Sequence, residues 1–266
     1  MSSTLVRGKY IISKVTGSTS AEVVSDGAVL QRDGEILEVG DYDDLSARHP
    51  SAEVIGSPNA VVMPGLVNDH FHVGLTPFQL GAPDLPLELW GLARIGARSI
   101  DPYLDQLYGA VQMIESGTTT VQAIHSTRRG SGPVDLEVAD KVVSAYQESG
   151  MRVSYAPSIA DQNSLVAGAK GGEAAFAAQL PTDLAERFRS FMARGYRPVD
   201  EVMATLEEIC ARYGNNRYER VQITMAPSNV HRCSDAMLVA LKEHPYTRSI
   251  MPENRQVKPI RDDNLT

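Results

Sequence analysis

Two histidines stand two residues apart in Val62-Met63-Pro64-Gly65-Leu66-Val67-Asn68-Asp69-His70-Phe71-His72. On an extended segment, residues i and i+2 project from the same face, so the imidazoles of His70 and His72 can converge on one cation. Neutral imidazole is a borderline ligand that suits zinc and similar ions. A His-x-His pair alone reads better as chance or as a hydrogen-bonded structural pair. Its setting favours a metal. Pro64-Gly65 leads out of a β-rich opening segment into a strand, and the pair falls at that strand's C-terminal end, the side on which (β/α)8 barrels carry their active sites.

Other side chains with chemistry to offer follow later expected strands. His125 closes the β-branched run at residues 118–124; it can touch substrate or stand in for a ligand, and a hydrogen-bonded loop histidine explains it as well. His231, flanked by Asn229 and Arg232, carries the same two readings. Gln162, in Asp161-Gln162-Asn163, can orient a polar substrate, although a loop cap is the simpler account. Trp90, the lone tryptophan, can stack on a heteroaromatic ring or pack beneath a loop. Cys210 and Cys233 form no pair motif and read as small buried hydrophobes in a reducing cytoplasm.

The elements that must position these groups change rhythm near residue 63. Before it, strands are expected over residues 5–15, on both sides of Asp33-Gly34, and over 60–63. Asp-Gly between apolar runs is a hairpin signal, because both residues accept φ > 0. After it, helices alternate with strands. Asp101-Pro102 opens a helix, since Asp accepts from free N–H groups and Pro fits the first turn; Leu104, Leu107, Tyr108, Val111 and Ile114 then recur at helical spacing. Glu115-Ser116-Gly117 ends it before a strand, and Glu148-Ser149-Gly150 repeats that ending one unit later. Further helices are expected over 182–194, 199–213 and 234–244, and strands over 151–156 and 221–226. Residues 161–198 form a long insertion after the third strand, as substrate loops often do. The expected architecture is α/β: a partial N-terminal β-sandwich (1–62), then the first half of a TIM barrel, about four βα units (63–244), then an irregular tail (245–266).

Composition removes other classes. Apolar residues make up 42% of the 266, ordinary for a globular chain. The net charge is −8 and the longest basic cluster is Arg128-Arg129, which leaves no phosphate-binding face for nucleic acid. No apolar run approaches the roughly 20 residues of a spanning helix, and residues 1–9 lack a signal peptide's apolar core. A cytoplasmic chain without a membrane partner is expected.

Taken together, these motifs resemble the amidohydrolase superfamily, in its cytosine-deaminase and chlorohydrolase-like branch. Pro64-Gly65-Leu66-Val67-Asn68-Asp69-His70-Phe71-His72 carries the likeness. Leu85-Pro86-Leu87-Glu88-Leu89-Trp90, Glu115-Ser116-Gly117-Thr118-Thr119-Thr120 and Ala226-Pro227-Ser228-Asn229-Val230-His231-Arg232-Cys233-Ser234-Asp235 extend it over roughly residues 5–244. The resemblance implies a divalent metal at His70 and His72, zinc first and iron as the alternative. It implies hydrolysis of a non-peptide C–N bond by metal-activated water, with a heterocyclic amine as substrate. It also implies a fifth-strand His followed three residues on by Glu, a sixth-strand His and an eighth-strand Asp. None of the six histidines here is followed three residues on by Glu. The alternative expectation is therefore a truncated, catalytically incompetent chain with at most weak metal binding, whose open barrel edges drive self-association. The loss of alternation at Pro245, Pro252 and Pro259 adds the expectation that residues beyond about 245 are foreign to the fold.

Overall fold

A computed structural model of the chain describes residues 3–73, 85, 86, 89, 90, 93, 100–125, 135–163, 165, 166, 172–214 and 220–244. It divides into two compact units, Met1–Leu66 and Val67–Thr266. The expected tail, the Arg128-Arg129 pair and Glu88 lie outside the described residues.

The first unit is a sheet in the order β3-β2-β1-β4, with β5 also on β1. β1 (Thr4–Gly17) and β2 (Ser20–Arg32) form a long antiparallel hairpin. β3 (Glu35–Asp41) returns along β2 through the Asp33-Gly34 turn, where φ is 54° and 84°, as the dipeptide predicts. β4 (Glu53–Gly56) and β5 (Val61–Val62) pair parallel to β1. A seven-residue helix the sequence did not announce, α1 (Tyr42–Arg48), is capped by Asp41, whose carboxylate accepts from the Asp43 and Asp44 N–H groups. Its one buried residue, Leu45, joins Leu5, Ala28 and Leu30 in a small core.

The second unit carries a parallel sheet in the order β6-β7-β8-β9: β6 (Leu66–Val73), β7 (Thr118–His125), β8 (Arg152–Ala156) and β9 (Val221–Ile223). Helix α2 (Pro102–Glu115) precedes β7 and α3 (Leu136–Ser149) precedes β8. Asp101 caps α2 by accepting from the Tyr103 N–H at 2.9 Å, and Asp135 caps α3. The repeated Ser-Gly endings have one physical basis: Gly117 and Gly150 sit at φ 84° and 72°, left-handed positions that turn a helix into the next strand. The insertion holds α4 (Gly172–Ala177) and α5 (Thr182–Ala193), joined by Phe176 packed edge to face on Phe188. Then come α6 (Val199–Tyr213), a short 3-10 turn (Val230–Arg232) and α7 (Asp235–Glu243), capped by Ser234. Burial alternates along the strands. Val121 and Ala123 of β7, Val153 and Tyr155 of β8, and Val221 and Ile223 of β9 enter a core with α3, α6 and α7. Polar contacts lace the outer helices: Lys141 to Asp101 at 3.1 Å, Tyr103 to Glu148 at 2.6 Å, and Arg212 and Tyr213 to Asp140. Among the described residues, no helix is long and apolar enough to cross a membrane.

Candidate metal centre

Phe71 packs against the helix-side core. Strand alternation therefore turns its neighbours His70 and His72 to the opposite face of the sheet. The two rings meet edge to face with centroids 4.8 Å apart, and the two Nε2 atoms lie 3.0 Å from each other. The Asn68 side-chain oxygen accepts from the His70 N–H at 3.2 Å, which fixes the local backbone. Two imidazole nitrogens on one tetrahedral zinc stand about 3.4 Å apart, from Zn–N bonds of about 2.0–2.1 Å. The pair thus has the spacing, facing and donor chemistry of two ligands on one ion. No group of three or more His, Cys, Asp or Glu able to hold a metal occurs among the described residues.

The other residues singled out from the sequence are placed as follows. His125, at the end of β7, is 7% exposed, and its Nδ1 is 2.9 Å from the Tyr155 hydroxyl. It continues the Val121, Ala123 alternation toward the helix side, away from the face of the histidine pair. Tyr155 is fully buried, and burial raises its pKa well above the usual phenol range, so the hydroxyl stays neutral. Trp90 is half-buried, with its backbone N–H donating to the Pro86 carbonyl at 2.8 Å. His231 sits in the 3-10 turn after β9; its Nε2 is buried without a hydrogen-bond partner.

Gln162 is engaged with that turn: its amide donates to the His231 and Cys233 carbonyls at 3.3 and 3.1 Å. Asn163, at φ 49°, donates to the same His231 carbonyl at 3.4 Å, and its oxygen accepts from the Glu173 N–H at 3.2 Å. Asp161 accepts from the Ser234 N–H at 2.7 Å and its hydroxyl at 2.6 Å. Glu173 in turn receives the Tyr196 hydroxyl and the Leu165 N–H. A polar strap therefore ties the loop after β8 to the loop after β9 and to the base of the insertion. Sequence reading singled out the Asp161-Gln162-Asn163 run but missed Glu173 and Tyr196 as its partners. The only local signal is the Asx run itself, because the partners stand 8 to 73 residues away in the chain. Both cysteines are buried; burial pushes the Cys210 thiol up to about 12 and the Cys233 thiol up to about 11.

Comparison with known proteins adds the following. The family model described as the amidohydrolase family matches residues 61–247, and one described as an imidazolonepropionase-like composite domain of bacteria matches residues 27–52. A 5-methylthioadenosine/S-adenosylhomocysteine deaminase of Thermodesulfovibrio yellowstonii is 32% identical over 124 residues, 44% of this chain and 28% of that enzyme. A 5'-deoxyadenosine deaminase of Methanosarcina mazei is 29% identical over 159 residues, 58% of this chain and 33% of that enzyme. Among solved structures, guanine deaminase from C. acetobutylicum with bound guanine superimposes with a TM-score of 0.59 at 15% identity, covering 90% of this chain and 49% of that one. Atrazine chlorohydrolase from Arthrobacter aurescens TC1 complexed with zinc gives 0.63 at 19%, covering 89% and 49%. The chain spans about half the length of these solved relatives and a third or less of the two deaminases.

Proposed function

The chain belongs to the amidohydrolase family, and from that membership we propose that it serves metal-dependent hydrolysis of a C–N bond, with a purine-like amine as substrate. The single observation that carries the reading is the 3.0 Å approach of the His70 and His72 Nε2 atoms on β6. A bound ion supplies Lewis acidity, lowering the pKa of water from about 16 to about 7. This chain's own residues do the positioning. His70 and His72 present neutral nitrogens, and Asn68 holds the His70 backbone. The strap of Asp161, Gln162 and Asn163 fixes the loop that carries His231 at the same end of the sheet. Water adds to the carbon bearing the amino group, and ammonia leaves. Trp90 and His231 are the substrate contacts we propose. Gln162 and His125 would act through the residues they hold, the first through the His231 turn and the second through Tyr155. The relatives act on 5-methylthioadenosine, S-adenosylhomocysteine and 5'-deoxyadenosine, and a solved relative binds guanine; these define the panel to try. Zinc is the ion we propose, since a solved relative is complexed with it.

A second reading has its own observation. The chain covers 49% of the length of each of two solved relatives, and the alternative we weigh is a chain that binds metal weakly and does not turn over alone. Ammonia release from the four compounds, with zinc supplied, separates the two. Release that disappears in His70→Ala/His72→Ala supports the hydrolase. Zinc uptake without release supports the second reading. Release that survives in the variant is incompatible with either.

A further inference from the structure

Each strand of the parallel sheet sends alternate side chains away from the helices. Val121 and Ala123 of β7, Val153 and Tyr155 of β8, and Val221 and Ile223 of β9 lie in the core shared with the helices. The residues between them point the other way: Gln122, Ser154 and Gln222. They are in register, Gln122 beside Ser154 and Ser154 beside Gln222, and each is half-buried. Phe71 of β6 packs on the same core, so His70 and His72 belong to the same face as this row. β6 is hydrogen-bonded beside β7, and neighbouring strands run about 4.8 Å apart. Gln122 precedes the last residue of β7, His125, by the same interval as His70 precedes the last residue of β6, Val73.

The inward face of a (β/α)8 sheet is filled mainly by Val, Ile and Leu. A row of two amides and a hydroxyl departs from that rule, and such local departures collect at functional sites. Ser154 shares a hydrogen bond with the Thr224 hydroxyl. One of the two hydroxyl protons makes that bond, and the other is left to donate. Gln122 presents a carbonyl oxygen and an NH2 group side by side. The row itself holds no ionisable side chain, so it suits a neutral ring better than an anion.

We propose that Gln122 reads the amino edge of a heterocyclic amine and so sets the specificity of the site, with the Ser154–Thr224 pair as a second contact on the strand beyond. The proposal rests on the hydrolase reading given above and names the residue that selects its substrate. Where an amino group adjoins a ring nitrogen, the Gln122 carbonyl accepts from the amino group and its NH2 donates to the ring nitrogen, the two-point pairing by which glutamine reads adenine. This holds the amino-bearing end of the ring one strand away from His70 and His72. The remaining proton of the hydroxyl pair supplies a donor for a further ring nitrogen.

Equilibrium dialysis of the full chain against adenosine, and against purine riboside, which carries hydrogen in place of the amino group, tests this. Zinc is withheld, so that neither compound is converted. Adenosine should bind about tenfold more tightly, because purine riboside leaves the amide carbonyl without its partner. In Gln122→Leu the ratio of the two affinities should fall to about one, and in Gln122→Glu, which keeps an acceptor, the preference for adenosine should remain. If Gln122→Leu precipitates, Gln122→Met must show the same loss of preference. Zinc uptake, measured separately, should be equal in the wild-type chain and Gln122→Leu. A wild-type chain that binds the two compounds alike, or binds neither, overturns the proposal, and its zinc uptake then shows whether the metal reading falls too. A preference kept in Gln122→Leu overturns it, as does an equal fall in both affinities, which is the mark of a structural role. A preference that depends on Gln122 in a chain taking up no zinc supports Gln122 as the reader of the ring and removes the metal reading alone.

Discussion

A pair of imidazole nitrogens 3.0 Å apart on an exposed strand end contributes little to stability by itself, since water competes for both. Its spacing has a use when both nitrogens are neutral and directed at one ion. The buried His125 behaves differently: its contact with Tyr155 ties β7 to β8 inside the core. His125→Ala should therefore lower stability by about 2 kcal/mol, from lost packing and an unpaired phenol, while zinc uptake measured on the folded variant stays at the wild-type level. A fall in zinc uptake would make His125 a ligand. The thiols give a second residue-scale prediction. With pKa values of about 12 and about 11 and no access, Cys210 and Cys233 should resist iodoacetamide at pH 8 in the native chain, and both should react in urea. Rapid native labelling of either would show that the core is not formed as described. The His-x-His pair was legible because an i, i+2 relation needs no tertiary information. The strap from Gln162 and Asn163 to the His231 turn was not, because an amide side chain gives no sign of which carbonyl 70 residues on it will meet.

Helices and strands of the second unit were legible wherever a cap or a left-handed glycine marks a boundary, as at Asp101-Pro102, Gly117, Gly150 and Ser234. The short helix α1 was not. Helix α1 has seven residues and one buried side chain, too short for periodicity to register and dependent on its contacts for stability. β9 ends at Ile223 although the apolar run continues; Thr224 still donates to the Tyr155 carbonyl at 2.8 Å, but the chain then leaves the ladder. Asp101 joins capping to an ion pair. The hydrogen bond from Lys141 holds its carboxyl below the usual range. A lowered carboxylate pKa means stability that is present above the unfolded value and is lost as pH falls through the folded one. Asp101→Asn keeps the cap and removes the charge, so its cost, below about 1 kcal/mol for so exposed a pair, should vanish under acid conditions. Asp101→Ala removes the cap as well and should cost about 1 kcal/mol more at neutral pH. Urea titrations at neutral and acid pH read both. An Asn variant whose deficit grows in acid would reverse the sign and exclude the pairing.

At the scale of the molecule, the fold is that of half an amidohydrolase barrel with a β-rich unit in front, and the covered share of the solved relatives, 49%, agrees with four strands out of eight. The described residues of that sheet include the His70 and His72 pair. Its substrate and its competence to turn over alone rest on the proposal above. Everything in that account depends on the histidine pair binding an ion. Equilibrium dialysis of the wild-type chain and of His70→Ala/His72→Ala against zinc measures this without requiring catalysis. The account predicts zinc retained by the wild-type chain at less than one equivalent and none retained by the variant at an unchanged circular dichroism spectrum. Equal zinc in the two proteins, or none in the wild type, would contradict it.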